Sequence, residues 1–360
     1  MALIVGVLLV AVGAGVFVYL NTRGDGPTGG DATATATSAP EASAPVEPPP
    51  PATAVPIPSI GETIDVGETP GFVAVTPNGR QLYIANRDAG VITVVDTAVN
   101  EVSGTITIDA GPPQFIAFSA DGRTAYVSVW DKPAEEGGRI ADVVVVDTTS
   151  NSVVKTVPVD TRPFLAAVNH DGTMIYVPNH DTDSVSVIDV ATYEVVTTIQ
   201  VAPNPHWVAF TEDGSKAYTA NHDSNLVSVI DTATNTVIKE IPVPTSPHSI
   251  AVHPTRPMLI VATYDADSAT VIDTNTDEVL TTIAVGAFPQ HAAWSADGRF
   301  AYITNNEGNS VSVINADTFE VTASVRTGQS PTSLAVVPDG SRGYVSNLRD
   351  GTLTVLNLAG

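Results

Sequence analysis

The stretch "PQHAAWSADGRFAYITNNEGNSVSVINADTFEVTASVRTGQS", residues 289–330, contains four short apolar segments separated by polar turns. Segments such as "AYITN" and "VSVIN" have the β-branched and aromatic content of strands, and "SADGR" has the composition of a tight turn. Units with the same order recur along the chain, and their opening prolines stand at positions 70, 113, 163, 205, 247, 289 and 331. Four strands in each unit are typical of a propeller blade. The sequence therefore predicts an all-β, seven-bladed β-propeller of four-stranded antiparallel blades.

The last unit, residues 331–360, stops after its third strand, "LTVLN". A candidate for the missing strand lies at the other end of the repeats, in residues 58–69, where Ile60, Ile64 and Val66 have the spacing of apolar residues in another fourth strand, Val195, Ile199 and Val201. A propeller with an unpaired blade would expose strand edges. We therefore expect residues 57–69 to complete the seventh blade.

The segments "LYIAN", "IYVPN", "AYTAN", "AYITN" and "GYVSN", with "DG" turns before them and segments such as "VSVIDT" after them, resemble the YVTN family of β-propeller repeats. The resemblance covers residues 57–360 and implies a seven-bladed, YncE-like or surface-layer-like propeller. Similar propellers include surface-layer proteins, periplasmic binding proteins, receptor sensor domains and, more distantly, enzymes. The resemblance thus specifies the fold much more closely than the function.

Charge and cysteine content exclude several classes of partner and site. Acidic residues outnumber basic ones 39 to 15, and the formal net charge is −24. Such a chain lacks the basic surface that nucleic acid requires, so we expect no nucleic-acid partner. The chain has no cysteine, which excludes disulfides, thiolate metal ligands and cysteine nucleophiles.

The N-terminal region predicts a membrane attachment. Residues 2–20 are uncharged and apolar, and as a helix they would rise about 28 Å, close to the thickness of a bilayer core. Residues 1–23 are therefore predicted to be an uncleaved transmembrane anchor, with a cleaved signal as the alternative. Residues 24–56, rich in Pro, Thr and Ala, are predicted to be a disordered linker. We expect a single-pass protein of the cell membrane with the propeller, residues 57–360, on the extracytoplasmic side.

The repeated acids fit turn chemistry. Asp-Gly and Asn-Gly pairs follow most first strands, and an Asp or Asn ends each third strand. Short acceptor side chains at such positions bond the backbone of the next turn. The pairs Asp181-x-Asp183 and Asp265-x-Asp267 also suggest calcium, but neither loop continues with the ligands of an EF-hand.

Histidines are a stronger indication of a site because they are not shared by all blades. His206, His248 and His291 stand at the beginning of three consecutive first strands, which should lie nearest the propeller axis. They predict a site for a divalent metal or an anionic ligand. His180 and His222 follow second strands at the same end. The alternative is that these polar residues beside prolines never converge. No His-rich motif typical of a copper or haem centre occurs, and no cofactor is otherwise predicted.

Blade 2 carries an insertion, "WDKPAEEGGRIAD", at residues 130–142. Trp130 in this loop is predicted to present an aromatic anchor to a protein, peptide or cell-envelope glycan, because insertions on one face often mark a binding face. The alternative is a tolerated surface insertion. Trp207 and Trp294 lie on first strands and are expected in the core.

No catalytic motif appears in the sequence. We therefore expect a membrane-tethered, non-enzymatic binding or scaffold module. One alternative is the sensor ectodomain of a larger transmembrane receptor, such as a serine/threonine kinase, and another is a metal-dependent, lactonase-like hydrolase with its site at the hub.

Overall fold

Val, Ile and Thr dominate the apolar segments, and β-branched side chains fit a pleated, half-buried surface better than a helix. In the computed structural model, which describes residues 49–130 and 141–360, these segments form 28 strands in seven four-stranded antiparallel sheets. The predicted all-β, seven-bladed propeller is confirmed. Residues 131–140 of the predicted insertion lie outside the described residues.

The strands follow one another in blade order. The first strand of the chain is β1 (Ala54–Asp65). Blade 1 comprises β2 (Pro70–Val75), β3 (Gln81–Asn86), β4 (Val91–Asp96) and β5 (Glu101–Thr107). Blade 2 comprises β6 (Pro113–Phe118), β7 (Thr124–Trp130), β8 (Ala141–Asp147) and β9 (Ser152–Pro158). Blade 3 comprises β10 (Ala167–Val168), β11 (Met174–Asn179), β12 (Ser184–Asp189) and β13 (Glu194–Gln200).

The remaining blades repeat this order. Blade 4 comprises β14 (Pro205–Phe210), β15 (Lys216–Asn221), β16 (Leu226–Asp231) and β17 (Thr236–Pro242). Blade 5 comprises β18 (Pro247–Val252), β19 (Met258–Thr263), β20 (Ser268–Asp273) and β21 (Glu278–Ala284). Blade 6 comprises β22 (Pro289–Trp294), β23 (Phe300–Asn305), β24 (Ser310–Asn315) and β25 (Val321–Arg326). Blade 7 contains β26 (Pro331–Val336), β27 (Arg342–Asn347) and β28 (Thr352–Ala359). Single-turn 3₁₀ helices cover His180–Thr182 and Tyr264–Ala266.

The expected ring closure is present. Strand β1 pairs antiparallel with β28, with Ile64 opposite Leu353, so the N-terminal strand is the fourth strand of blade 7. Strand β1 begins at Ala54, earlier than the predicted start of the propeller at residue 57. The amide of Ala54 donates to Asp297 in blade 6, 2.8 Å away. The first strands of neighbouring blades contact one another around the ring, including β26 with β2.

The predicted turn role of the acids is confirmed in the hairpins. Asp213 accepts hydrogen bonds from the Ser215 amide at 3.0 Å and the Thr211 hydroxyl at 2.6 Å. These bonds favour the carboxylate, and they lower the pKa of Asp213 to about 2. The acids of the calcium hypothesis are also hydrogen-bonded: Asp183 accepts from the Asn204 amide, and Asp267 from the Phe288 amide.

Tyrosines on second strands bond the blades to one another. In four blades the hydroxyl donates to an Asn or Asp in the left-handed conformation in a turn of the next blade: Tyr83 to Asn151, Tyr176 to Asn235, Tyr218 to Asp277, and Tyr344 to Asn100. Blade 5 has Ile260 instead, and the corresponding residue of blade 6 is Phe319, which packs in the same apolar cluster. Within residues 49–130 and 141–360, the buried Tyr302 hydroxyl has no hydrogen-bond partner. The four bonded tyrosines reach a residue in the turn between the third and fourth strands of the next blade. In blade 7 these two strands, β28 and β1, are far apart in sequence, so no turn joins them and Tyr302 has no such acceptor.

The predicted membrane anchor and the first part of the predicted linker, residues 1–48, lie outside the described residues. Within residues 49–130 and 141–360, no helix has the length and apolarity that a membrane crossing requires.

Removal of residues 57–69 is expected to abolish cooperative folding or to lower the melting temperature by roughly 10 °C or more, because β28 would lose its partner. Two substitutions within the strand provide a milder test. Ile64 is 7% exposed and Ile60 is 55% exposed, so Ile64→Ser should destabilise the propeller strongly and Ile60→Ser hardly at all. Thermal unfolding followed by circular dichroism measures both; equal melting temperatures for the two variants would contradict this account.

Tyr218 and Tyr302 allow a matched comparison, because only the Tyr218 hydroxyl has a hydrogen-bond partner among the described residues. Tyr218→Phe removes a hydrogen bond to a buried carboxylate and is expected to lower the free energy of unfolding by about 1–3 kcal/mol. Tyr302→Phe removes a hydroxyl that has no partner and should leave that free energy unchanged or slightly higher. Urea unfolding of both variants distinguishes the cases. A loss of similar size in Tyr302→Phe would show that its hydroxyl is satisfied in solution.

Candidate functional site

One residue from each blade lines a cavity of about 270 Å³ at the hub of the propeller, here called the hub pocket. Each is the residue that follows the opening proline of its blade: Gly71, Gln114, Phe164, His206, His248, Gln290 and Thr332. The repeat therefore places one equivalent residue of every blade at the pocket, and the sequence at that position varies the chemistry of the wall.

Backbone geometry at the beginning of the blades brings two further histidines, His180 and His222, beside His206. The residue before the opening proline has a positive φ in six blades; Arg162 and Asn204 have values of 55° and 61°. Their carbonyl groups accept hydrogen bonds from the residues that follow the second strands, His180 N at 3.0 Å and His222 N at 2.8 Å. These bonds hold the loops of His180 and His222 against the first strands.

His206 is the centre of a cluster of four imidazoles. Its ring lies 4.6 Å from that of His222, nearly parallel to it, 4.7 Å from that of His180 and 4.5 Å from that of His248, centroid to centroid. On its other side it stacks on Phe164 at 4.1 Å. Three blades thus contribute histidines to one cluster.

Three of these imidazoles have the arrangement of metal ligands. One ring nitrogen from each of His180, His206 and His222 lies within 4.8 Å of the other two. The Nδ1 atoms of His180 and His222 lie 2.7 Å from the carboxylates of Asp181 and Asp223. A carboxylate that accepts from Nδ1–H leaves Nε2 with a free lone pair, which is the usual arrangement around a ligating histidine.

Burial disfavours the protonated form of three of these imidazoles, those of His180, His206 and His248. His206 is 5% exposed, and its burial and the neighbouring imidazoles hold its pKa well below the usual value near 6.5. Burial also lowers the pKa of His180. It lowers that of His248 to about 3, although the pocket still leaves this side chain some contact with solvent. Neutral imidazole is the form that binds metal ions.

Arg162, Trp130 and Phe164 form a second wall of the hub pocket. The guanidinium carbon of Arg162 lies 4.7 Å from the centre of the Trp130 ring, which stacks on Phe164 at 5.7 Å. Arg162 also donates to Asp181 at 3.0 Å. Trp130 was predicted to project from a surface loop as an anchor for a partner; instead it ends strand β7 and is 5% exposed, because Phe164 and Arg162 cover its ring.

The structure separates His291 from the other predicted ligands. His291 is the third residue of its strand, in register with Trp207, whereas Gln290 occupies the position of His206 and His248. Its ring packs against Phe72 and Trp207, and its Nδ1 accepts the Leu334 amide at 3.1 Å. His206 and His248 are thus brought together, while His291 belongs to the layer below.

The two remaining histidines lie away from the hub. His170 and His253 bond backbone carbonyl groups of turns at the opposite end of the propeller, those of Thr211 and Gly298. Trp207 and Trp294 are buried.

Sequence reasoning missed Phe164, Arg162, Gln114 and Gln290 as pocket residues. An alignment of the seven blades at the residue after the opening proline would have found three of them. Arg162 is identified only by its left-handed backbone, which the sequence does not reveal.

Comparison with known proteins supports the fold. Residues 60–163 match the family model of the cytochrome D1 heme domain, which corresponds to blades 1 and 2 with part of β1. No curated protein matches the chain. Among solved structures the chain is similar to Kuenenia stuttgartiensis hydrazine synthase, with 21% identity, a TM-score of 0.73 and coverage of 81% of this chain and 96% of that chain. At this identity the likeness shows a shared fold.

The residues present do not fit a haem. The matched segment, residues 60–163, contains no histidine, and the four clustered histidines all lie beyond it. The hub pocket, at about 270 Å³, is smaller than pockets for drug-sized ligands, which run from about 300 to 1,000 Å³, and a haem is a large ligand. The imidazoles are therefore the groups at the hub that can bind a metal ion or another ligand.

Buried His291 is expected to make stability depend on pH. Burial lowers its pKa to about 3 in the folded chain, against about 6.5 when unfolded. Above pH 6.5 both states are neutral. Below it the unfolded chain binds the proton, so this residue lowers the free energy of unfolding by about 1.4 kcal/mol per pH unit as the pH falls. His291→Asn should reduce that slope between pH 6 and pH 4, measured by urea unfolding. The two slopes should coincide above pH 7; equal slopes below pH 6 would contradict the prediction.

Proposed function

We propose that this chain is a metal-binding propeller module whose hub holds a divalent first-row transition metal ion through His180, His206 and His222. The convergence of one nitrogen from each ring within 4.8 Å carries the proposal. It is supported by Nδ1 of His206, which is buried and has no hydrogen-bond partner among the described residues. A buried polar atom of this kind calls for a ligand, an ion or a water molecule.

The donor set selects the class of metal. Neutral imidazoles suit zinc, copper, nickel and cobalt, whereas calcium and magnesium prefer oxygen ligands. Metal–nitrogen bonds of about 2.0–2.1 Å require the three nitrogens to move closer and the nearly parallel rings of His206 and His222 to turn. His222 has room to do so, since its side chain is 25% exposed. Asp181 and Asp223 would hold the tautomers throughout.

Three histidine ligands leave a coordination position open, and His248 lies close enough to approach it. Because His206 lines the hub pocket and three ligands leave a position open, we propose a binding role rather than a closed structural site. A metal-dependent hub-site hydrolase is the second candidate, because an open position also accepts water. It predicts metal-dependent hydrolysis of a lactone, an activity that a binding module lacks.

We further propose a setting for this module. The YVTN-like repeats and the apolar segment at residues 2–20 favour a membrane-tethered propeller on the extracytoplasmic side. Its partners there would be proteins, peptides or envelope glycans. A receptor with this propeller as its sensor ectodomain is the variant of this proposal in which the metal-loaded hub is the sensing element.

Titration of the untagged full-length chain with Zn²⁺, Co²⁺, Cu²⁺ and Ni²⁺, after treatment with a chelator, tests the metal site. We expect binding of at least one ion at one site per chain. His222→Asn should weaken binding at least about tenfold, and Asp223→Asn by about 10- to 100-fold through loss of its hold on His222.

Two other histidines provide the controls. His170 lies at the opposite end of the propeller, and Nδ1 of His291 accepts a hydrogen bond from the Leu334 amide. The variants His170→Asn and His291→Asn should therefore bind metal like the unchanged chain. Failure of every ion to bind, or an equal loss in His170→Asn and His222→Asn, would contradict the proposed site.

A further inference from the structure

Three nitrogen atoms around the hub pocket are buried without hydrogen-bond partners. In the described part of the chain, eight buried side-chain atoms have none. Five are oxygens, four on asparagines that end second strands and one on Tyr302. The three nitrogens are Nε1 of Trp130, Nε of Arg162 and Nδ1 of His206, and all three residues line the hub pocket. Native proteins rarely leave such groups unpaired, so their grouping indicates a missing ligand.

The chemistry of two of these groups specifies an acceptor. Indole and guanidinium nitrogens only donate hydrogen bonds. The planar fork of an arginine matches the two oxygens of a carboxylate. One arm of Arg162 already binds Asp181 at 3.0 Å, which leaves the edge with Nε for a second acceptor. A monoanion therefore fits this charge balance better than a doubly charged phosphate.

The rest of the pocket specifies an apolar body. Phe72, Phe115 and Trp207 line it beside the ring of Phe164. Phe72 meets Phe115 at 5.4 Å and Trp207 at 5.9 Å, both edge to face. About 270 Å³ is room for a ligand near the size of one aromatic ring. The chain's net charge of −24 opposes large polyanions.

We infer that the hub pocket binds a small monocarboxylate with a ring-sized apolar body, its carboxylate accepting from Arg162 and Trp130 and its body packed on Phe72 and Phe115. This site goes beyond the proposed metal site and does not require the metal. In the present geometry protein atoms cover the unpaired nitrogens of Arg162 and Trp130. Binding therefore requires small shifts of these side chains that turn both donors toward the ligand.

Isothermal titration of the full-length chain in a chelator, with benzoate and its neutral isostere benzamide, tests the inference. Benzoate should bind, and benzamide should bind at least about tenfold more weakly. Trp130→Phe keeps the stacking ring but removes the N–H, and it should weaken benzoate binding about tenfold. Arg162→Gln should weaken it further, and Arg162→Lys should restore only part of the loss.

Trp294→Phe is the matched control, because Trp294 Nε1 already donates to the Ala251 carbonyl at 2.9 Å and lies outside the hub pocket. Circular dichroism and melting temperature verify folding of each variant. Equal affinity for benzoate and benzamide, equal losses in Trp294→Phe and Trp130→Phe, or no benzoate binding would overturn the inference. Benzoate binding that appears only after zinc is added would also overturn it while supporting the metal site. Benzoate binding by a chain that binds no metal would support the carboxylate site and contradict the metal site.

Discussion

The pairing of β1 with β28 is the constraint on which the rest of the structure depends. Seven blades form a ring only if the first and last are joined, and the chain joins them by completing blade 7 from its N-terminal side. An open ring would expose two strand edges and the apolar faces of two blades. Closure also fixes the distance of every first strand from the axis. The hub pocket therefore exists because of a strand pair at the outside of the propeller, far from the histidines it positions.

Bonds between blades distribute this constraint around the ring. Each tyrosine that bonds a turn of the next blade fixes the position of its own second strand relative to a hairpin of that blade. In blade 5 the tyrosine is replaced by Ile260, and its counterpart in blade 6 is the apolar Phe319, which packs in the same cluster. Because a buried polar group without a partner costs free energy, replacing the tyrosine and its acceptor together avoids an unpaired group there. A repeat of this kind holds the blades rigidly enough to place side chains of different blades within a few ångströms of each other.

The sequence predicted the fold better than the site, for a geometric reason. Blade number, closure and turn acids depend on the repeat, which is visible as spacing. The site depends on which of two adjacent residues faces the axis. His206 and His291 stand one residue apart in the repeat, and side chains alternate along a strand, so the two rings lie in different layers. The insertion pointed to Trp130, but its stacking on Phe164 at the hub could not be predicted from sequence. Arg162 was missed because its left-handed backbone has no sequence signature.

The charges around the hub explain how a cation and an anion can share it. An acidic chain attracts metal ions over long distances, while burial lowers the pKa values of His180 and His206 and so opposes their protonation. Arg162 supplies a fixed positive charge beside them, held in place by Asp181. A metal ion at His180, His206 and His222 would therefore lie close to a guanidinium, and the two like charges repel in a poorly hydrated pocket. A carboxylate bound between the proposed metal ion and Arg162 would relieve that repulsion. Each proposed ligand would then strengthen the binding of the other, and by linkage the increase would be the same in both directions.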